Sequence, residues 1–317
     1  MAQSSVKILA FSLVLLICLH RIIGSETARA DPVKVMDSVV SVLPEWVNPK
    51  SRAKEPEGSG IVVLDGSTIL TARHVIHKAL SVRIRTRDGR ILLAEVIGHD
   101  RLTDLAILSI GEKLPAVGFG RDAILGERAC AIGNAFGLGL SMTCGIISAT
   151  HKAGVGFNPI EDFVQTDAAV NPGASGGALV ADDGALLGVL SAIFTKDSDA
   201  NIGVNFAVSS RLAKRVAHGL AKDHKMHWRF SGLKLNPAVL KGDTGTIGAV
   251  VINVIAKSPG FAAGIKTGDV VRMLANRRIR KPQDFTGEFV SHPSGAILPV
   301  KIIRENSELV LKIQVPG

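Results

Sequence analysis

Short runs of Val, Ile and Leu, each closed by a turn signal, recur along most of this chain and restrict it to folds built from many short strands. "SGIVVLDG" and "STILTARHVI" form a hairpin-like pair, "SVRIRTRDGRILLAEVIGHD" turns at Asp88-Gly89, and "TDLAILSI" follows. A second series starts near residue 128 with "RACAIGN", "SMTCGIISAT", "EDFVQTDAAV", "GALVADDGALLGVLSAI" and "IGVNFAVSS". Two series of about six strands have the spacing of barrels or sandwiches. The 33 Gly supply the turns, and a 46% hydrophobic content over 317 residues is enough for two or more buried cores. The expected class is mostly β.

The period then changes. In "SRLAKRVAHGLAKDHK", Leu212, Val216 and Leu220 recur every four residues with Lys and Arg opposite, the pattern of an amphipathic connector helix. Beyond it lies another unit, with "FSGLKL", "GAVVINVIA", "SPGFAAGIKTGDVVRML", "KPQDFTGEFV" and "ILPVKIIRENSELVLKIQV". The expected layout is an N-terminal leader over 1–30, a two-barrel domain over 31–209, a helical connector over 210–227 and a terminal domain over 228–317.

Lys7, the apolar run Ile8–Leu19 and the closing Ala28-Arg29-Ala30 read as a secretory signal peptide cleaved after Ala30. The run falls short of the roughly 20 residues a membrane span needs, so a membrane anchor through an uncleaved N-terminus is the weaker alternative. Lipidation at Cys18 is rejected because Ile17 stands where a small residue is required. Losing Lys7, Arg21, Arg29 and Glu26 lowers the formal charge of +9 but leaves it positive. Arg83, Arg85 and Arg87 alternate with apolar residues, as on a solvated sheet face. "NRRIRK", Asn276 to Lys281, is the one compact basic cluster and reads as a solvated turn, with an anionic membrane or polymer as the other reading. With no Tyr and two Trp, the chain lacks the stacking platforms of a nucleic-acid binder. Cys130 and Cys144 flank a turn-rich segment; a disulfide between them requires directly facing positions, and sequence does not set that register.

"NPGASGGALV", residues 171–180, sets Ser175 among three glycines. A serine hydroxyl is a poor nucleophile at neutral pH and needs a general base, normally a His oriented by a buried carboxylate. Among nine His, His74 has the most telling context, at the end of an apolar strand in "ILTARHVI". His218, His224 and His227 belong to the basic connector and read as surface residues. For the carboxylate, Asp104 heads an apolar strand in "RLTDLAILSI", where burial is costly unless the group is hydrogen-bonded. Asp100 and Asp167 are rivals, the first in a polar turn and the second too near the serine loop.

"TARHVI", "TDLAIL", "AIGNAFGLG", "QTDAAVNPGASGG" and "GVNFAV" together resemble the HtrA (Deg-type) family of chymotrypsin-fold serine proteases, in that family's order and spacing. The resemblance implies a double β-barrel with His74, Asp104 and Ser175 as the catalytic triad in the cleft. It also implies an oxyanion hole from the backbone N–H groups of Gly173 and Ser175. Ala169 stands six residues before Ser175, where trypsin-like enzymes carry the aspartate that binds Lys or Arg. Cleavage after small or medium aliphatic residues such as Val, Ala or Ile is therefore expected. The terminal unit resembles an α+β PDZ domain, with Phe230, Ser231, Gly232 and Leu233 as the carboxylate-binding loop for C-terminal peptides. The resemblance further implies a periplasmic homotrimer acting on unfolded envelope proteins in protein quality control and stress response, with no cofactor.

Other readings fit less well. "HVIH", with His74 and His77, lacks the Glu of the zinc-protease helix, so no metal is expected. "GNAFGLG" lacks the helix and ribose-binding acid of a nucleotide site and reads as a tight turn. The rival from another class is a weakly active protease-fold chaperone or PDZ peptide-binding protein. It rests on Ala174 and Ala178, which replace the Asn and Pro common around the family's nucleophile.

Overall fold

Alternation along the strands sorts the apolar side chains between different cores. The computed structural model describes residues 31–46, 57–193, 203–239 and 246–316; the expected leader lies outside the described residues. Strands β1 (Val39–Glu45), β2 (Gly58–Val63), β3 (Thr68–Ala72), β4 (Ser81–Arg85), β5 (Ile91–Asp100) and β6 (Leu105–Ile110) close into a barrel in the order 1-2-3-6-5-4. Strands β7 (Arg128–Gly133), β8 (Ser141–Lys152), β9 (Phe163–Thr166), β10 (Ala178–Ala181), β11 (Leu186–Ile193) and β12 (Asn205–Ser209) close a second barrel in the same order. Val62 of β2 fills the first barrel with Val40, Ile69, Ile84 and Leu108. Its neighbours Ile61 and Val63 face the other way and join Leu70, Ile107, Ile132 and Val180 in a shared layer. Strands buried on both faces read as continuous apolar runs, which explains "GIVVL" and "LAIL".

Cys130 and Cys144 are direct partners in the β7–β8 register and form a disulfide, their Cα atoms 4.0 Å apart. The basic alternation on β4 is more than a solvated face. Arg83 pairs with Glu45, Arg85 with Glu57 and the neighbouring Arg87 with Asp37.

One-turn helices α1 (Pro32–Val35) and α2 (Arg73–Ile76) precede the connector helix α3 (Ser210–Asp223). Ser209 caps α3 by accepting the Leu212 N–H, and Leu212, Ala213, Val216, Ala217 and Leu220 form its buried stripe. That stripe packs on β5, β6 and β11, so α3 spans both barrels. The C-terminal unit is a sheet in the order β13 (Leu233–Val239), β14 (Thr246–Val254), β15 (Val270–Leu274), β17 (Ile297–Arg304) and β18 (Ser307–Gln314), with the short β16 (Arg277–Arg278) beside β15. Helices α4 (Pro259–Ala262) and α5 (Pro282–Ser291) complete it, and Phe285, Phe289 and Val290 of α5 enter its core. The mostly β class, with two barrels and an α+β sheet unit, is the one expected.

The "NRRIRK" cluster departs from expectation at its first arginine. Arg277 is buried and donates to Asp162 at 3.2 Å and to Asp284 at 3.4 Å, linking the sheet unit to the second barrel. Asp162, itself fully buried, also bonds the His151 ring at 3.0 Å and the Ser209 hydroxyl at 2.6 Å. Arg211 of α3 meets Glu288 of α5 at 2.8 Å, and His292 meets the same carboxylate at 2.8 Å. Charges buried this deeply persist because they are paired.

Candidate active site

Register brings the first polar pair together. Ala72 at the end of β3 faces Leu105 at the start of β6, so the residues just beyond, Arg73-His74 and Asp104, become neighbours. The Asp104 carbonyl accepts the Arg73 N–H at 2.7 Å, and its carboxylate accepts the His74 N–H at 3.1 Å. Asp104 holds a left-handed backbone, φ 59°, a conformation Asp tolerates better than most residues. Its other carboxylate oxygen lies 2.5 Å from His74 Nδ1. An acceptor at Nδ1 makes that nitrogen the N–H of the neutral ring and leaves Nε2 basic.

Asp100 takes a different place. It is buried, accepts the N–H and hydroxyl of Thr103, and accepts the Trp228 indole N–H at 2.9 Å, so it shapes the turn before Asp104 and tethers the segment after α3. Asp167 accepts the Ile146 N–H at 2.6 Å. His77 meets the Arg73 guanidinium at 3.1 Å.

The serine loop is pinned from three sides. Ser59 N–H donates to the Ser175 carbonyl at 2.9 Å, and the Ser59 hydroxyl donates to the Gly173 carbonyl at 2.8 Å. Gly176, at φ 85°, lies so close to the Ser59 carbonyl and the Ala72 N–H that any side chain there would collide with them. Ser175 is thereby held next to the strand end that leads into His74. Its hydroxyl donates to the Ser191 carbonyl at 3.3 Å. The Pro172 carbonyl accepts the Phe136 N–H at 2.6 Å. Across a trans peptide the next N–H points the opposite way, so the Gly173 N–H faces away from Phe136. Among the described residues neither the Gly173 nor the Ser175 N–H meets an acceptor. Two free donors two residues apart on a glycine loop are what a developing oxyanion needs.

Ser59, Asn134 and Phe136 were not singled out from sequence. Asn134 donates its backbone N–H to the Ser59 hydroxyl and its side-chain amide to Glu57, and accepts the Gly139 N–H at 2.8 Å. "GNAFGLG" is thus the backing of the serine loop. The readable signal was a polar Ser59 and Asn134 inside otherwise apolar strand ends.

Beside Ala169 lies a cavity of about 240 Å³, reached by Asn171, Ala174 and Leu190, and among the described residues no charged side chain lines it. In the C-terminal unit, Gly232 has φ 75°, its carbonyl accepts the Ile255 N–H at 2.9 Å, and the Ser231 carbonyl accepts the Gly260 N–H at 2.8 Å. Ser231 is buried, Phe230 is half exposed, and Leu233 begins β13. β13 ends the sheet order, so its outer edge carries no partner strand among the described residues.

The trypsin-like peptidase domain model matches residues 58–189, and the PDZ domain model matches residues 200–315. The probable periplasmic serine endoprotease DegP-like of Rickettsia prowazekii (strain Madrid E) is 36% identical over 296 residues, covering 88% of this chain and 58% of that protein. The chain spans little more than half the length of such DegP-like relatives. The serine endoprotease DegS of Escherichia coli (strain K12) is 32% identical over 269 residues, covering 81% of this chain and 76% of that protein. The solved structure of the HtrA-type protease AlgW with tripeptide superposes with a TM-score of 0.69 at 31% identity, covering 91% of this chain and 96% of that one.

Proposed function

The chain belongs to the HtrA-type, trypsin-like serine proteases with a C-terminal PDZ domain, and from that premise we propose that it is a serine endopeptidase with His74, Asp104 and Ser175 as its triad. Ser175 Oγ attacks the peptide carbonyl while His74 Nε2 takes its proton and later gives one to the leaving amine. Asp104 holds the tautomer and offsets the charge of the imidazolium. The Gly173 and Ser175 N–H groups receive the oxyanion. Water then releases the acyl group from Ser175 by the same steps in reverse order.

The observation that carries this reading is the 2.5 Å contact of His74 Nδ1 with Asp104, beside a loop that presents Ser175 and two uncommitted N–H donors. The uncharged cavity at Ala169 supports cleavage after Val, Ala or Ile. The unpaired edge of β13 and the turn at Phe230-Ser231-Gly232-Leu233 support strand addition by a peptide whose C-terminus sits on that loop. The domains in this reading are 31–209, the connector 210–227 and 228–317. The periplasmic names of the relatives support an exported protein; cleavage of its leader after Ala30 and action as a homotrimer on unfolded envelope proteins belong to the proposal.

The test is incubation of the protein and its Ser175→Ala variant with casein, with and without a peptide ending in hydrophobic residues. Cleavage by the wild type alone, after aliphatic residues, is expected. Failure of the wild type under both conditions overturns the reading in favour of a protease-fold chaperone or peptide-binding protein.

A further inference from the structure

Helix α3 and the segment after α5 face each other across a groove of about 510 Å³, well away from the serine loop. Arg211, Lys214, Arg215 and His218 fall at positions i, i+3, i+4 and i+7, so one stripe of α3 lines it, and Lys225 joins them from beyond the helix. Of the Arg and Lys side chains here, Arg211 is neutralised by Glu288. Among the described residues no carboxylate oxygen lies within 4.0 Å of Lys214, Arg215 or Lys225. The one other acidic group on the groove, Asp223, is exposed at its rim.

Arg215 is the least expected of the set. Its guanidinium donates to the His292 carbonyl and lies 5.8 Å from the centre of the Trp228 ring. Burial alone pulls it below its ordinary pKa, because no anion offsets its lost hydration. A half-buried cation without a counter-charge is costly, and it is fixed in place before any ligand arrives. Arg offers a planar fork and Lys a point charge, the pairing that suits phosphate oxygens. Met226 and Pro293 add apolar surface beside the cations.

We propose that this groove binds a phosphate group carried on an organic molecule, either a soluble phosphate ester or the head group of an anionic phospholipid. Arg215 and Lys214 hold the phosphate oxygens, and Lys225 closes over them. The ligand contacts both α3 and residues 291–294, so occupancy tightens the junction between the barrels and the C-terminal unit.

Trp228 reports on the site, and Trp46 is the only other tryptophan, so a Trp46→Phe version of the full chain isolates the signal. Glycerol 3-phosphate, inorganic phosphate, and phosphatidylcholine vesicles with and without phosphatidylglycerol are titrated against chloride at matched ionic strength. A saturable change in Trp228 emission with glycerol 3-phosphate, absent with chloride, is expected for a soluble ester. A change and co-sedimentation only with phosphatidylglycerol vesicles identifies the lipid source. The exposed double variant Lys214→Gln/Lys225→Gln is expected to weaken binding by about tenfold, a loss of about 1.4 kcal/mol. Arg215→Gln is expected to abolish it; the double variant keeps the test decisive if Arg215→Gln does not fold. Equal response to chloride, no saturable response to any phosphate probe, or unchanged affinity of the double variant overturns the proposal.

Discussion

Two His–Asp pairs, each with a serine near it, occur among the described residues, and on the proposed reading only one is built for chemistry. At His74 and Asp104 the carboxylate serves one imidazole and one backbone N–H, and the Asp104 main-chain carbonyl takes the Arg73 N–H. Among the described residues no Arg or Lys side-chain nitrogen lies within 4.0 Å of the Asp104 carboxylate, and the His74 side chain is 36% exposed. At His151 and Asp162 the carboxylate is fully buried and shared with Arg277 and the Ser209 hydroxyl, while Arg211 stands at 3.8 Å. Ser209 is buried and donates to the Asp162 carboxylate itself, whereas Ser175 is partly exposed on its glycine loop with its hydroxyl on the Ser191 carbonyl. What separates the pairs is the load on the carboxylate and the access to the serine, not the set of residue types.

The environments have opposite consequences. In the first pair the carboxylate takes the Nδ1 proton in a hydrogen bond, which makes Nε2 the proton-accepting nitrogen of the neutral ring. The second holds charge in place: the hydrogen bond to Asp162 raises the His151 pKa. Burial alone would raise Asp162, but His151, Arg277 and Arg211 outweigh it and bring the carboxyl down to about 2. The second pair is a lock between the barrel, α3 and the C-terminal unit.

Substitutions break the comparison most sharply at the serines. Ser175→Ala is expected to cut casein hydrolysis by at least about a thousandfold with an unchanged melting temperature. Ser209→Ala should leave kcat within about twofold and lower thermal stability by about 1 to 3 kcal/mol, the cost of a lost buried hydrogen bond. Loss of activity in a folded Ser209→Ala protein would erase the distinction. At the carboxylates, Asp104→Asn should lower kcat by about 10⁴-fold through the wrong tautomer. Asp162→Asn should spare kcat per folded molecule but destabilise by up to about 3 kcal/mol, because it takes from the buried Arg277 its nearest carboxylate and leaves Asp284 at 3.4 Å. Calorimetry beside active-site titration separates these effects.

pH sharpens the comparison further. Asp162 is depressed from 3.8 to about 2, so its stabilisation, about 2 kcal/mol, is complete above 3.8 and lost as pH falls through about 2. His151 is raised above 6.5, so its stabilisation is complete below 6.5 and lost as pH rises through the folded value. Glu288, depressed because His292 and Arg211 outweigh its burial, loses its share on the acid side as well, while Arg277 and Asp284 complete the cluster. The melting temperature should therefore be highest between pH 4.5 and 6.5 and decline on the alkaline side, and His151→Gln should flatten that decline. The smallest effect is expected at Ala174, whose buried side chain faces Gly133 and the small cavity. Ala174→Asn should change kcat by less than about tenfold in peptide assays, without altering the site of attack.

The strands were readable because period-two alternation and turn residues are local. His74, Asp104 and Ser175 stood out as candidates because each is polar at the edge of an apolar run. The lock was not readable. Asp162 and Arg277 are separated by 115 residues, and only tertiary packing turns a basic turn in "NRRIRK" into a buried clamp. Asp100 looked like a solvated turn residue for the same reason, since its partner Trp228 lies 128 residues away. Ser59 and Asn134 were hidden differently: on the serine loop Ser59 hydrogen-bonds only to backbone carbonyls, and Asn134 backs Ser59 through its own N–H, which no residue type announces.

The central claim is that Ser175, and no other serine, is activated. Labelling the full-length protein with a fluorophosphonate probe and mapping the adduct by mass spectrometry tests it directly. One phosphonyl adduct on Ser175, absent from Ser175→Ala and strongly reduced in Asp104→Asn, is the predicted result. No adduct on Ser175, or an adduct on Ser209, would contradict it.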